Sequence, residues 1–344
     1  MNFFQSKKLE TKENVIFSDI FIILITIIFT ILVNSGIYGY GTDYYHAYIK
    51  GFEWNRPAAE SSLFDYLGYR VATLTVYGFY VGVYITTFIL SLSTGLLIRE
   101  YIKSRQRYSL VLFLILFIVA IHTWPVIMST SNAMRQGLTM SFIFLALISN
   151  YHKNYYWMIF FSVVAIFMHK SGILFSVILF YATILDKLLA RLSYNKKTII
   201  NFFIGTLSLI VSYYLINTFL LGEGFEGSRI IAGDFRLAFV LISIIFILFS
   251  FFNKNILNNS FNSFLYHYSF ISLAFLMSGL NWQYERLGMM MLIPYILSFG
   301  FIINKRSYEF YLILSFLALL FFTIYTDMYT VGLKSNVEFY LDNI

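Results

Sequence analysis

Three short segments hold the residues of this chain best suited to chemistry. Asn132-Ala133-Met134-Arg135-Gln136-Gly137 places a permanent cation beside an amide. A guanidinium is planar, always charged, and presents a fork of donors that matches phosphate oxygens two at a time. Phe167-Met168-His169-Lys170-Ser171 adds an imidazole, able to move a proton near neutral pH, and an ammonium, Lys170, that could hold an anion. Gly41-Thr42-Asp43-Tyr44-Tyr45-His46-Ala47-Tyr48 offers a carboxylate among aromatic rings. A carboxylate or an imidazole can take the proton of an attacking hydroxyl, and aromatic faces are platforms for sugar rings. More arginines lie in polar stretches: Arg70, Arg229 and Arg236 around Asp234, and Arg286 in Trp282-Gln283-Tyr284-Glu285-Arg286.

Each of these has a plainer reading. Arg135 is also what a snorkelling cation at a membrane interface looks like. His169 fits a hydrogen-bonded histidine in a tight turn between helices. Tyr44 and Tyr45 fit an interfacial aromatic belt, in a chain that is 21% aromatic. Arg286 could pair with Glu285 and only fix its loop. Gly222-Glu223-Gly224-Phe225-Glu226-Gly227 matches a dinucleotide fingerprint in letters alone, since that fingerprint needs a strand before it and a helix after it.

The elements that must position these groups follow from composition. Hydrophobic residues make up 59% of the 344 and charged residues 12%, about half the charge of a soluble domain. Long apolar runs of helical length recur, without the alternation of a β-barrel. In lipid only helices or closed barrels satisfy the backbone. The expected fold is therefore all-α: a polytopic helical membrane bundle, one domain over 1–344. About ten or eleven spans are expected, near 16–34, 75–98, 109–124, 137–149, 156–168, 172–185, 198–220, 237–252, 264–280, 289–303 and 310–326. The net charge of +7 is scattered between apolar runs, so nucleic acid is not an expected partner. With no cysteine and dispersed histidines, neither disulfides nor a metal site is expected, and no cofactor.

Lysine and arginine set the orientation. With the N-terminus in the cytoplasm, 15 of the 24 basic residues fall in inner loops and 9 outside. The outer face then receives the segments near 35–74, 125–136, 169–171, 221–236 and 281–288. Most outer cations are arginines. Gathered over one bundle, they would form a phosphate or pyrophosphate site. Ser129, Thr130, Ser131 and Asn132 are placed to cap the helix that carries Arg135 in its first turn.

The order of three motifs resembles the EpsG-like branch of the Wzy polysaccharide polymerases. They are Asp43-Tyr44…Tyr48 after the first span, Arg135-Gln136-Gly137 opening a mid-chain helix, and the Phe167…His169-Lys170-Ser171 turn some thirty residues on. This chain departs from the family pattern by one residue inserted between Phe167 and His169, and by Met134 and Gly137 around the Arg-Gln pair. The likeness covers roughly 35–180 in motif and most of the chain in hydropathy.

The resemblance implies a GT-C-like membrane glycosyltransferase of the bacterial inner membrane. It would polymerise undecaprenyl-pyrophosphate-linked repeat units of an O-antigen, capsule or exopolysaccharide at the periplasmic face. Its partners would be that lipid-linked oligosaccharide, membrane lipid and a chain-length regulator. Catalysis would fall to Arg135, His169 and Asp43. Arg286, Arg236, Arg229, Arg70, Lys170 and Gln136 would bind the substrate's head, and Tyr44, Tyr45 and Trp54 its sugars. Three rivals share the size and span count: a lipid-glycan flippase, a membrane acyltransferase and a single-sugar glycosyltransferase. A flippase should show internal repeats and midplane charges, and none is found.

Overall fold

The structure, a computed structural model, describes residues 3–38, 63–77, 79–103, 109–220, 235–252, 257, 260–279, 281–299 and 308–325. In some stretches, among them 3–16, 235–238 and 281–286, only the backbone is described. Helices dominate: α1 (Phe3–Asn34), α2 (Leu63–Ala72), α3 (Gly82–Lys103), α4 (Leu110–Ile121), α5 (Trp124–Ser131), α6 (Met134–Tyr151) and α7 (Tyr155–Met168). They continue as α8 (Ser171–Leu188), α9 (Tyr194–Leu215), α10 (Phe235–Phe252), α11 (Ser260–Met277), α12 (Asn281–Phe299) and α13 (Tyr308–Tyr325). The strands β1 (Thr75–Val76) and β2 (Phe79–Tyr80) form a small hairpin.

Four described helical stretches are long and apolar enough to cross a membrane: Phe17–Asn34, Gly82–Lys103, Ser171–Leu188 and Tyr194–Thr218. The pair α4 and α5, bent by 55° at its break, passes the same test only when taken as one segment. Shorter apolar helices, Tyr155–Met168, Phe239–Ser250, Leu287–Phe299 and Glu309–Tyr325, stand where hydropathy placed further spans. Large apolar side chains point outward, among them Ile31, Phe203, Leu207 and Ile210. Faces of that kind suit lipid rather than water. The protein is an all-α, multi-pass membrane protein.

The element borders depart from the expected ones in three places. The segment 125–136 is mostly the helix α5, not a loop. The segment 281–288 is the start of α12. The expected span from 75 begins only at Gly82, because 75–80 is the hairpin and 63–72 the helix α2.

The chain clusters into two compact units. The first comprises Met1–Ser149, Asn154–Ile173 and Glu309–Ile344. Small residues bring its helices close: a Cβ on Gly95 would lie 2.9 Å from the Phe117 ring and 3.3 Å from Ile22. Thr26 Oγ1 and Ser91 Oγ bond at 3.2 Å, tying α1 to α3. At one end of that pair Arg99 is ion-paired with Asp19 and with the buried Glu100, which Lys103 also approaches at 3.3 Å.

The α4–α5 break satisfies its own backbone. His122 Nδ1–H donates to Ile118 O at 2.7 Å and Thr123 Oγ1 to Ala120 O at 2.6 Å. Pro125 has no N–H to satisfy and suits a helix start. The buried Trp124 N–H donates to Thr323 Oγ1 on α13, 2.8 Å away. The His122 ring packs against Phe29 and Tyr38 at 5.3 and 5.8 Å between centroids.

The second unit comprises Asn150–Lys153 and Leu174–Tyr308. Its polar interior joins α8, α9 and α11. Lys197 pairs with Asp186 at 3.3 Å, and Ser263 Oγ donates to the same carboxylate at 3.1 Å. Asn201 donates to Lys197 O at 2.9 Å and accepts from His267 Nε2 at 3.1 Å. Such buried polar ties are costly in lipid unless each group finds a partner.

Candidate functional site

Arg135 stands in the first turn of α6, as the sequence suggested, and Ser129, Thr130 and Ser131, expected to cap that helix, belong to the one before it. Ser129 and Thr130 close the helix before it, and Thr130 Oγ1 donates back to Ile127 O at 2.8 Å. Asn132 is the C-cap of α5. The N–H groups of Asn132 and Ala133 both donate to Met128 O, at 3.2 and 2.8 Å. Ala133, just before α6, has no side-chain oxygen to offer. Here the positive end of the helix dipole and a guanidinium add up, which favours a bound anion twice over. Gly137 makes the turn tight: a Cβ there would sit 3.0 Å from the Ser129 carbonyl carbon and collide with its oxygen.

His169 ends α7 in an extended conformation, φ −164° and ψ 146°. Its N–H reaches Ala165 O at 3.4 Å, and its carbonyl accepts the Gly172 N–H at 2.8 Å. Its Nδ1 accepts from the Ser171 N–H at 3.2 Å and lies 2.9 Å from Ser171 Oγ. A backbone N–H can only donate, so Nδ1 carries the lone pair and Nε2 the proton. In this tautomer the outer nitrogen of His169 is a hydrogen-bond donor. A hydrogen-bond donor at that position suits a developing negative charge.

Three contacts hold the two turns together. A Cβ on Gly172 would lie 2.5 Å from the Ala165 carbonyl carbon and 2.8 Å from Ile166 N. Thr139, one helical turn after Arg135 on α6, donates to the same Ala165 carbonyl at 3.4 Å. Gly68 of α2 is seated on the end of α7, where a Cβ would come within 2.6 Å of the Met168 carbonyl carbon. The carbonyl end of α7 is thus gripped by α2, α6 and α8, and backbone-to-backbone contact fixes it more firmly than long side chains would.

Four predicted residues lie on or between the elements of this grip in the first unit: Arg135, His169, Lys170 and, on α2, Arg70. Lys170 is exposed. Arg70 is exposed, with Nε donating to Tyr66 Oη at 3.2 Å and its guanidinium 5.2 Å from the centre of the Tyr66 ring. Gln136 is buried, 5% exposed. Arg236 and Arg286 lie in the opening turns of α10 and α12, within the second unit, with only their backbone described. Asp43, Tyr44, Tyr45, Trp54 and Arg229 lie outside the described residues. Gly68, Thr139 and Gly172 escaped the sequence reading. Gly172 carried a signal, since it follows directly on the motif at 167–171, and Gly137 lies within its own motif.

Residues 20–341 match the sequence model of the EpsG family. The chain belongs to the EpsG family. The match takes in both turns and both units. EpsG-family membership associates the chain with polysaccharide polymerisation and glycosyl transfer. No curated protein and no solved structure matches it.

Proposed function

We propose that this EpsG-family protein polymerises oligosaccharide repeat units carried on a polyprenyl diphosphate, at the outer face of the bacterial inner membrane. The observation that supports this best is the shared grip on α7, which ties the helix of Arg135 to the turn of His169 within one compact unit. The donor is already activated, so the reaction needs no nucleotide. The acceptor hydroxyl loses its proton to a base, with Asp43 the candidate, and attacks the anomeric carbon. The bond from that carbon to the diphosphate oxygen breaks, and charge builds on the leaving diphosphate. Arg135 and the positive end of α6 stabilise that charge more in the transition state than before it, the differential that lowers a barrier. His169, donating from Nε2, and Lys170 add to the same field. Arg70, in the same unit, is a further anion-binding arm in this reading. Tyr44, Tyr45 and Trp54 stack on sugars. The apolar outer faces of the helices accommodate the polyprenyl tail.

A polysaccharide ladder from a strain lacking the gene, complemented at matched membrane expression, tests the proposal. The native protein should restore the ladder, while Arg135→Ala should leave single repeat units on the lipid core. Arg135→Lys should recover little, because a point charge replaces a two-pronged donor. A deletion strain that lacks even the single repeat would point to export instead. An unshortened ladder of altered mobility would point to a modifying transferase.

A further inference from the structure

Two buried polar groups beside Arg135 are left over by the packing just described. Ser129 is fully buried and its Oγ has no hydrogen-bond partner. Gln136 is 5% exposed and its Oε1 has none. Buried polar atoms nearly always find a partner, and in lipid the pressure to do so is stronger. The two residues flank one contact, since a Cβ on Gly137 would stand 3.1 Å from the Ser129 Cβ. Other hydroxyls of the same two helices bond back to their own backbone, as Thr130 does to Ile127 O and Ser141 to Gly137 O at 2.8 Å. Ser129 makes no such bond.

The chemistry of these groups is specific. Gln136 Oε1 can only accept, so it takes an O–H or N–H. A serine hydroxyl both gives and accepts. Neither is charged, whereas the residue before Gln136 is a permanent cation. Consecutive positions on a helix diverge by about 100°, so a neutral group and an anionic group would meet the start of α6 on adjoining sides. A sugar joined directly to a phosphate carries both kinds of group a bond or two apart.

We infer that Ser129 and Gln136 form the neutral half of the Arg135 site and recognise a hydroxyl or acetamido group of the sugar that carries the diphosphate. The inference rests on the diphosphate reading of Arg135. It moves recognition of that first sugar from the aromatic loops into the helix bundle, with Gln136 as acceptor and Ser129 as its partner.

The test uses the full chain in nanodiscs and two probes: farnesyl diphosphate, and the same lipid diphosphate bearing one N-acetylhexosamine. Gln136→Met keeps the side-chain length and removes the acceptor. It should weaken binding of the sugar-bearing probe about tenfold, the size of one buried hydrogen bond, and leave the bare diphosphate unchanged. Ser129→Ala should do the same to a smaller extent, and it serves alone if Gln136→Met does not accumulate. A sugar-bearing probe bound by both variants as tightly as by the native chain, as if water alone occupied the site, would overturn the inference. So would equal losses for both probes. Arg135→Ala binding bare farnesyl diphosphate as tightly as the native chain would instead remove the diphosphate reading itself.

Discussion

Gly172→Ala isolates the grip on α7 from the chemistry it supports. In an ordinary helix this change is favourable, by up to about 1 kcal/mol. Here the new methyl would stand 2.5 Å from the Ala165 carbonyl carbon, against 3.4 Å for ordinary contact, a shortfall of 0.9 Å (3.4 − 2.5). Its obstacles are backbone atoms, which cannot rotate away. Overpacking of this kind costs about 1–3 kcal/mol, so the sign of the helix preference should reverse. The greater effect should fall on activity. A displacement near 1 Å in a positioned catalytic group costs about 100-fold, and α8 can yield only by carrying the His169 turn with it. The assay is the initial rate of polymer formation from a purified lipid-linked repeat unit, read beside the thermal midpoint. Gly205→Ala in the second unit is the control, because its methyl would meet the Phe270 ring at 2.6 Å, a side chain rather than backbone. A thermal loss together with a rate loss in Gly172→Ala, and a smaller thermal loss at the native rate in Gly205→Ala, are expected. A native rate in Gly172→Ala, or an equal rate loss in Gly205→Ala, would refute the reasoning.

The tautomer of His169 separates a donor from a base. His169→Gln restores an N–H near the Nε2 position and should stay within about tenfold of the native rate, while His169→Ala should lose about 100-fold or more; equal loss in both would favour a base. Thr323→Val keeps the shape of α13 but strips the buried Trp124 N–H of its acceptor, which should cost about 1–3 kcal/mol. A thermal midpoint unchanged from native would count against that bond. Removing one partner of the Asp186–Lys197 pair, as in Asp186→Leu, should cost about 2–3 kcal/mol, less than for a fully buried pair because Asp186 keeps 23% exposure. Adding Lys197→Met should recover most of it, and a double variant no better than the single would show that the pair is not coupled.

The hydropathy of the chain located its helices well because each apolar run reports its own burial. Arg135 in a first turn and His169 in an interhelical turn were legible for the same local reason. Contacts between distant residues were not. Nothing local says that Gly68 sits on the end of α7, or that Thr139 shares its carbonyl with Gly172. The serine- and threonine-rich run at 129–131 reads as a cap, yet it ends the preceding helix. The break before that helix is bridged by the bond from Trp124 to Thr323. The proton on Nε2 of His169 likewise depended on the direction of a Ser171 N–H, which no spacing rule encodes.

That break has a consequence for how the protein is made. A ribosome feeding a translocon delivers Trp124 to the bilayer well before Thr323, which lies 199 residues later in the chain. Until α13 is inserted, one amide at a bent point within a membrane-crossing segment must borrow a partner, from lipid headgroup water or from the insertion machinery. The last described helix belongs to the first unit. Nascent chains arrested before α13 should therefore be better substrates for membrane proteases than the finished protein, and release of the final helix should mark the moment at which that susceptibility falls.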